Sequence, residues 1–291
     1  MKCLFEGVAV AIVTPFKCGK VDNLALEKLI EKNICEGAKA IVVLGTTGEG
    51  STITKAERKD LIKFAKKVIA GRAKLIVGTG NNNFELAYDY TLMAKQLGVD
   101  GALVVTPYYN KTTQTGLIEY YSRLCEIGIP IIIYNVPSRT GLILELDTIK
   151  ELCSCEMIYG IKESTCDINR IISLSKICRN KIALYSGEDD LNYIFYCLGG
   201  QGAISVTANA YCSEVQKVYD LVKLGLYDDA LAVQENLDGI NKALFIETNP
   251  IPVKYLLSQM GLCENELRMP LVPLSAKARG RVDEEMAKLS I

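Results

Sequence analysis

The sequence predicts an α/β protein: a (β/α)8 TIM barrel with a C-terminal three-helix extension. Three observations carry that expectation. Eight short, β-branched apolar runs recur up to Val206, an amphipathic stretch follows each run, and the remaining chain shows helical periodicity with no further strand pattern. Strand then helix, eight times with short connections, is the pattern of a closed parallel barrel. A doubly wound sheet is the competitor, but it usually has fewer units and often a glycine fingerprint that is missing here.

The runs are residues 7–13 (GVAVAIV), 40–44 (AIVVL), 74–78 (KLIVG), 101–105 (GALVV), 131–134 (IIIY), 158–161 (IYGI), 182–185 (IALY) and 202–206 (GAISV). Nearly uninterrupted apolar runs of this length suit parallel strands buried on both faces. Of the helical stretches, residues 22–37 place Leu24, Leu26, Leu29, Ile30 and Ile34 at helical spacing. Residues 54–70 open with Thr54-x-x-Glu57, a capping box. Residues 84–97, 116–125, 144–152, 167–178, 189–198 and 212–224 complete the set. The barrel is thus expected over residues 1–225. A helical region is expected over 226–291, with helices at 227–242, 249–260 and 275–289. Pro250 and Pro252 fall where the first turn of a helix tolerates proline.

Lys and Arg number 33 and Asp and Glu 34, a formal charge of -1. Such a balance gives no general pull toward nucleic acid or anionic lipid. No run approaches the ~18–20 apolar residues of a membrane span, and residues 1–7 lack a signal pattern. A cytoplasmic protein with neither nucleic-acid nor membrane partners is expected. Histidine is absent, which excludes a Ser-His-Asp triad, a Cys-His dyad and imidazole-ligated zinc. The 11 cysteines are scattered, with no CxxC, so neither a disulfide framework nor a thiolate metal site is expected. They read as mostly buried small hydrophobes in a reducing compartment. No GxxxxGK or GxGxxG is present, and neither metal nor cofactor is expected.

Barrel active sites lie at the C-terminal ends of the strands. There the sequence places Thr14-Pro15, Gly45-Thr46-Thr47-Gly48-Glu49, Thr79-Gly80-Asn81, Thr106-Pro107-Tyr108-Tyr109-Asn110, Tyr134-Asn135, Lys162-Glu163, Ser186-Gly187-Glu188 and Ser205-Val206-Thr207. Lys162 is the leading candidate. Apolar surroundings penalise a charged ammonium, and a neutral amine attacks a ketone to form a Schiff base. A strand-end lysine more often reaches out to water. The lack of histidine and the many hydroxyls at the barrel mouth favour the reactive reading. Tyr134, on the neighbouring strand, suits proton transfer, or equally a rim aromatic bonded to backbone. Thr46 and Thr47 occupy a glycine-bounded turn suited to an anion, or an ordinary tight turn. Arg139 suits a carboxylate, although most arginines are solvated surface residues. Two motifs are set aside. Gly199-Gly200-Gln201-Gly202 leads into the last strand and so lies at the bottom face, and Ser173-Leu174-Ser175-Lys176 falls mid-helix without its partner motifs.

Together these residues resemble the class I pyruvate-dependent aldolases of the dihydrodipicolinate synthase / N-acetylneuraminate lyase group. The resemblance runs nearly end to end. It includes Val13-Thr14-Pro15, Gly45 to Glu49, Val105 to Asn110, Tyr134-Asn135-Val136-Pro137-Ser138-Arg139-Thr140-Gly141, Gly160-Ile161-Lys162-Glu163, Gly202 to Val206 and Asn249-Pro250-Ile251-Pro252-Val253-Lys254. It implies condensation of pyruvate with L-aspartate-4-semialdehyde through a Lys162 imine, giving 4-hydroxy-tetrahydrodipicolinate. Tyr134, Thr46 and Tyr109 are implied as a proton relay, with Tyr109 reaching into a neighbouring subunit. Thr47 is implied at the pyruvate carboxylate and Arg139 at that of the semialdehyde, with backbone of Gly187 and Ile204 completing the pocket. A homo-oligomer, dimer or tetramer, is implied as well. Sialic acid lyases resemble the chain at Lys162 and Tyr134 but generally lack the arginine. Members regulated by lysine carry a histidine pair and a glutamate where this chain has Lys55, Arg58 and Leu86, so weak or absent feedback by L-lysine is expected. The alternatives are a sister 2-keto-acid aldolase and a non-catalytic carboxylate-binding barrel.

Overall fold

The computed structural model describes residues 1–289. Strand β1 (Gly7–Ala11) is followed by a small hairpin, β2 (Phe16–Lys17) and β3 (Lys20–Val21), and by helix α1 (Asn23–Cys35). Then come β4 (Ala40–Val43), α2 (Lys55–Ile69), β5 (Lys74–Gly78), α3 (Phe84–Gln96), β6 (Gly101–Val105) and α4 (Gln114–Cys125). The second half runs β7 (Ile131–Asn135), α5 (Pro137–Thr140), α6 (Leu146–Leu152), β8 (Ile158–Glu163), α7 (Ile168–Cys178) and β9 (Ala183–Ser186). A 3-10 turn (Asp189–Leu191), α8 (Asn192–Cys197), β10 (Gly202–Ser205) and α9 (Ala208–Lys223) complete the ring. Helices α10 (Tyr227–Ala243), α11 (Ile251–Gln259) and α12 (Ala276–Lys288) follow. Eight of the strands close a parallel barrel in the order β1-β10-β9-β8-β7-β6-β5-β4.

The strands are buried almost throughout because each is sandwiched between the barrel interior and the helix ring. Two packed layers result. One lies between strands and helices, with Val8, Val10, Ile41, Ile131, Ile133 and Ile161 among its members. The other fills the barrel, with Ala9, Val42, Ile76, Ile132, Tyr134 and Tyr185. At the bottom, Phe5 stacks on Tyr185 at 4.4 Å between ring centroids, and the Tyr185 hydroxyl donates to Phe5 O at 3.0 Å. The N-terminal segment therefore plugs this end, and the opposite end is left for a site.

Helix starts follow their caps. Asp22, Thr54, Asn83, Thr113, Asp167 and Ser275 each accept from backbone N–H groups of the first turn, and the Thr54–Glu57 capping box forms in full. Several expectations are corrected. The segment 189–198 is a 3-10 turn plus a short helix, because the Asp189 carboxylate turns aside to accept from Val206 N and Thr207 N, each at 2.9 Å. Helix α9 begins at Ala208, not at Cys212, with a kink at Tyr211. Strand β8 ends with Lys162 and Glu163, as the sequence places them. The cysteines are all free, as expected, but only Cys153, Cys178 and Cys212 are buried. Cys18, Cys35, Cys166 and Cys197 are exposed, since they fall in a turn or at helix ends where little packs over them.

Candidate active site

The open end of the barrel holds a cavity of about 540 Å3. Its wall includes Gly45, Thr46, Thr47, Tyr134, Arg139, Lys162, Gly187, Glu188, Val206 and the C-terminal segment from Phe245 to Asn249. A cleft of about 340 Å3 adjoins it and shares Thr46, Tyr134, Arg139 and Asn249.

Lys162 and Tyr134 reach the cavity through a register effect. They are Cα partners on β8 and β7, and the pairing shifts by one residue between Ile131/Ile158 and Ile132/Gly160. Side chains alternate along a strand, so Ile158, which faces the helices, would set Gly160 and Lys162 facing outward too. The extra residue, Tyr159, reverses that phase, as a β-bulge does. Gly160 and Lys162 then turn inward beside Ile132 and Tyr134. The Lys162 side chain is 5% exposed, and its Nζ stands 4.4 Å from the centre of the Tyr134 ring.

Gly187 follows β9, and its N–H donates to Glu163 O at 2.8 Å. A Cβ there would lie 2.0 Å from Ser164 Oγ and 2.8 Å from Lys162 Cε, so the lysine stem passes through space that only glycine leaves free. Next to it, Glu188 lines the cavity. Burial raises its carboxyl above the ordinary carboxylate range, with the nearby Lys162 charge opposing.

Thr46 and Thr47 lie in the turn after β4. Gly50 is required in this turn because a Cβ would sit 2.2 Å from Leu44 O. Thr14 Oγ1 donates to Gly48 O at 2.7 Å and anchors the loop to the first strand exit. Arg139 sits on α5, and its Nη2 donates to Asn249 O at 3.1 Å. Asn249 Nδ2 donates to Thr47 Oγ1 at 3.0 Å. Asn249 therefore joins the two groups expected to meet carboxylates, and its own buried Oδ1 has no hydrogen-bond partner. The sequence reading gave it no role: NPIPVK looks like a helix start, and only its place in the shared motif set pointed to it.

Two expected site residues are not in the cavity. Ile204 is buried in the inner barrel cluster, and Val206 forms the wall beyond that strand. Tyr109 is 91% exposed on a backbone of φ 68°, a left-handed conformation unusual for a bulky residue. Its neighbours hold it there: Asn110 N donates to Tyr108 O at 2.8 Å and Asn110 Nδ2 to Asn82 O at 2.9 Å.

Comparison with known proteins places the whole chain among relatives of one kind. The chain is 45% identical over 269 residues to the 4-hydroxy-tetrahydrodipicolinate synthase of Clostridium novyi (strain NT), covering 92% of this chain and 91% of the relative. It superposes on the crystal structure of dihydrodipicolinate synthase from Thermotoga maritima with a TM-score of 0.96 at 38% identity, covering 98% of each chain. It also matches the chloride-inhibited dihydrodipicolinate synthase from Acinetobacter baumannii complexed with pyruvate, at a TM-score of 0.95 and 40% identity over 98% of each chain. With residues 4–289 matching its pattern, the chain belongs to the dihydrodipicolinate synthetase family.

Proposed function

We propose that the chain condenses pyruvate with L-aspartate-4-semialdehyde through a Schiff base on Lys162, giving 4-hydroxy-tetrahydrodipicolinate. The observation that carries this reading is the Lys162 amine held 4.4 Å from the Tyr134 ring, inside a cavity that Thr46, Thr47 and Arg139 also line. Lys162 attacks C2 of pyruvate through its unprotonated amine and water leaves. The imine loses a methyl proton and becomes an enamine. The enamine carbon bonds to the aldehyde carbon, whose oxygen takes up a proton. The substrate's own amino group then adds to the imine carbon, closes the ring and releases Lys162. Tyr134 and Thr46 pass protons. Tyr109, exposed and absent from the lining of its own cavity, completes this relay in a second copy. Thr47 meets the pyruvate carboxylate and Arg139 that of the semialdehyde. Gly187 offers backbone, as does Ile204 from just below.

The same reading extends to the whole chain. It works as a cytoplasmic homo-oligomer without metal or cofactor; among the described residues no helix is long and apolar enough to cross a membrane. The region 226–291 completes the site of the barrel spanning 1–225, through Asn249. L-lysine does not regulate it. At the positions expected to differ, Lys55 Nζ pairs with Asp89 at 2.9 Å. The Arg58 side chain is buried against the Tyr90 ring and donates to Gly78 O at 2.7 Å and Gly50 O at 3.0 Å. The guanidinium is thus tied to two backbone carbonyls in the wall of the adjoining cleft. A coupled assay with a reductase acting on the dehydrated product tests the reaction. Reductant consumption that requires both pyruvate and the semialdehyde supports it; turnover only with a different aldehyde overturns it.

A further inference from the structure

On the outer side of β7 and β8 lies a buried polar cluster that the reaction scheme does not use. Asn135 and Glu163 are both 0% exposed, and they are register partners one residue beyond Tyr134 and Lys162. Asn135 Nδ2 donates to the two Glu163 carboxylate oxygens at 2.9 and 3.0 Å. Arg170, on α7, donates to Glu163 Oε2 from Nε at 3.3 Å and from Nη2 at 3.2 Å. Its Nη2 also donates to Leu144 O at 2.7 Å, and Leu144 N donates to Asn135 Oδ1 at 3.1 Å. The circuit closes through two strands, one helix and the loop that follows α5, the helix bearing Arg139.

Stability alone gives little reason for such a cluster. Burial lifts the Glu163 carboxyl above the ordinary carboxylate range, although Arg170 and Asn135 pull the other way. Replacing a buried ion pair by apolar groups of similar volume is often neutral or stabilising. A fully satisfied polar network does fix one geometry. Side chains alternate along a strand, so any rotation of these strand ends that moves Asn135 and Glu163 also swings Tyr134 and Lys162.

We propose that Asn135, Glu163 and Arg170 are positioning residues for the reaction: an outer clamp that locks the twist of the two strand ends and so holds the Lys162 amine against Tyr134. The clamp rests on the reading of Lys162 and Tyr134 as the imine-forming pair. Misplacing reacting groups by about 1 Å costs on the order of a hundredfold in rate.

The test uses Glu163→Met/Arg170→Met, which keeps volume and removes the clamp, and Arg170→Lys, which keeps the charge and loses the fork. Three readouts are taken: the melting midpoint, the rate of pyruvate trapping on Lys162 by borohydride, and kcat with KM. The clamp predicts folded variants in which trapping and kcat fall by about tenfold or more while KM for both substrates moves by less than about threefold. If the double variant does not fold, Arg170→Lys carries the same criteria. A native kcat per folded molecule, whether or not the melting midpoint drops, overturns the clamp. A parent protein that traps no pyruvate on Lys162 overturns the underlying reading instead.

Discussion

At the scale of single residues, the cavity separates two tasks. Lys162 and Tyr134 face each other on adjacent strand ends, whereas Arg139 comes from a short helix at the rim and is held by a backbone carbonyl of Asn249. Under the proposed function, a cation at the rim meets the carboxylate of the incoming second substrate and takes no part in bond making at pyruvate. Arg139→Ala is therefore expected to lower kcat/KM for aspartate semialdehyde by roughly a hundredfold, the scale of a lost charge-assisted pair. Borohydride trapping of pyruvate should stay near the parent rate. An equal loss in both measurements would contradict that division. Lys162 was legible in the sequence by elimination, since no histidine exists and one lysine ends an apolar strand. Asn249 was not, because the contacts with Thr47 and Arg139 that give it meaning join residues far apart in the chain.

At the scale of elements, eight apolar runs sufficed to read the barrel, but not the phase of β8. A continuous apolar run carries no alternation, so it cannot say which side chains face inward, and a one-residue bulge at Tyr159 escapes notice. The hairpin of β2 and β3 was missed for a related reason: it is two residues long on each side, and only the Cys18-Gly19 turn marks it. Helix α2 carries two predictions. Its Arg58 is buried and tied to two backbone carbonyls, and under the proposed function millimolar L-lysine should leave the initial rate unchanged. Strong inhibition there would contradict this. Glu57 of the same helix accepts from Arg268, in the segment between α11 and α12, at 2.9 Å, and the guanidinium holds its carboxyl down to about 2, against an ordinary value of 4.5. A depressed folded-state value stabilises above the unfolded value and is lost as pH falls through the folded one. Arg268→Gln should lower the melting midpoint modestly at neutral pH, since solvent screens this pair. The difference from the parent should close between pH 4.5 and about pH 2. A difference that persists unchanged at the acid end would show that the pair is not its source.

At the scale of the whole molecule, the C-terminal helices do more than pad the barrel. Asn249 reaches Thr47 and Arg139, and Lys254 on α11 forms a fully buried ion pair with Glu49 of the turn carrying Thr46 and Thr47. Such a pair, 2.5 Å between Nζ and Oε1, is costly to break once buried, and it ties the C-terminal region to the site loop. Tyr109 is exposed on its own chain, and the proposed function gives it a task in a neighbouring copy. Complementation tests this. Lys162→Ala and Tyr109→Phe subunits should each be nearly inactive alone. Mixed by co-expression, half the pairs are hybrid and each has one intact site, so about a quarter of parent activity should return. No recovery in demonstrated hybrids would place Tyr109 outside the neighbouring site.

The central claim is that the nitrogen at position 162 bonds to the keto carbon of pyruvate. Mass spectrometry after borohydride reduction with pyruvate tests it most directly. The account predicts a single covalent addition on the peptide carrying Lys162, with none in Lys162→Ala. An unmodified Lys162 in an active, pyruvate-saturated protein, or addition at another lysine, would contradict it.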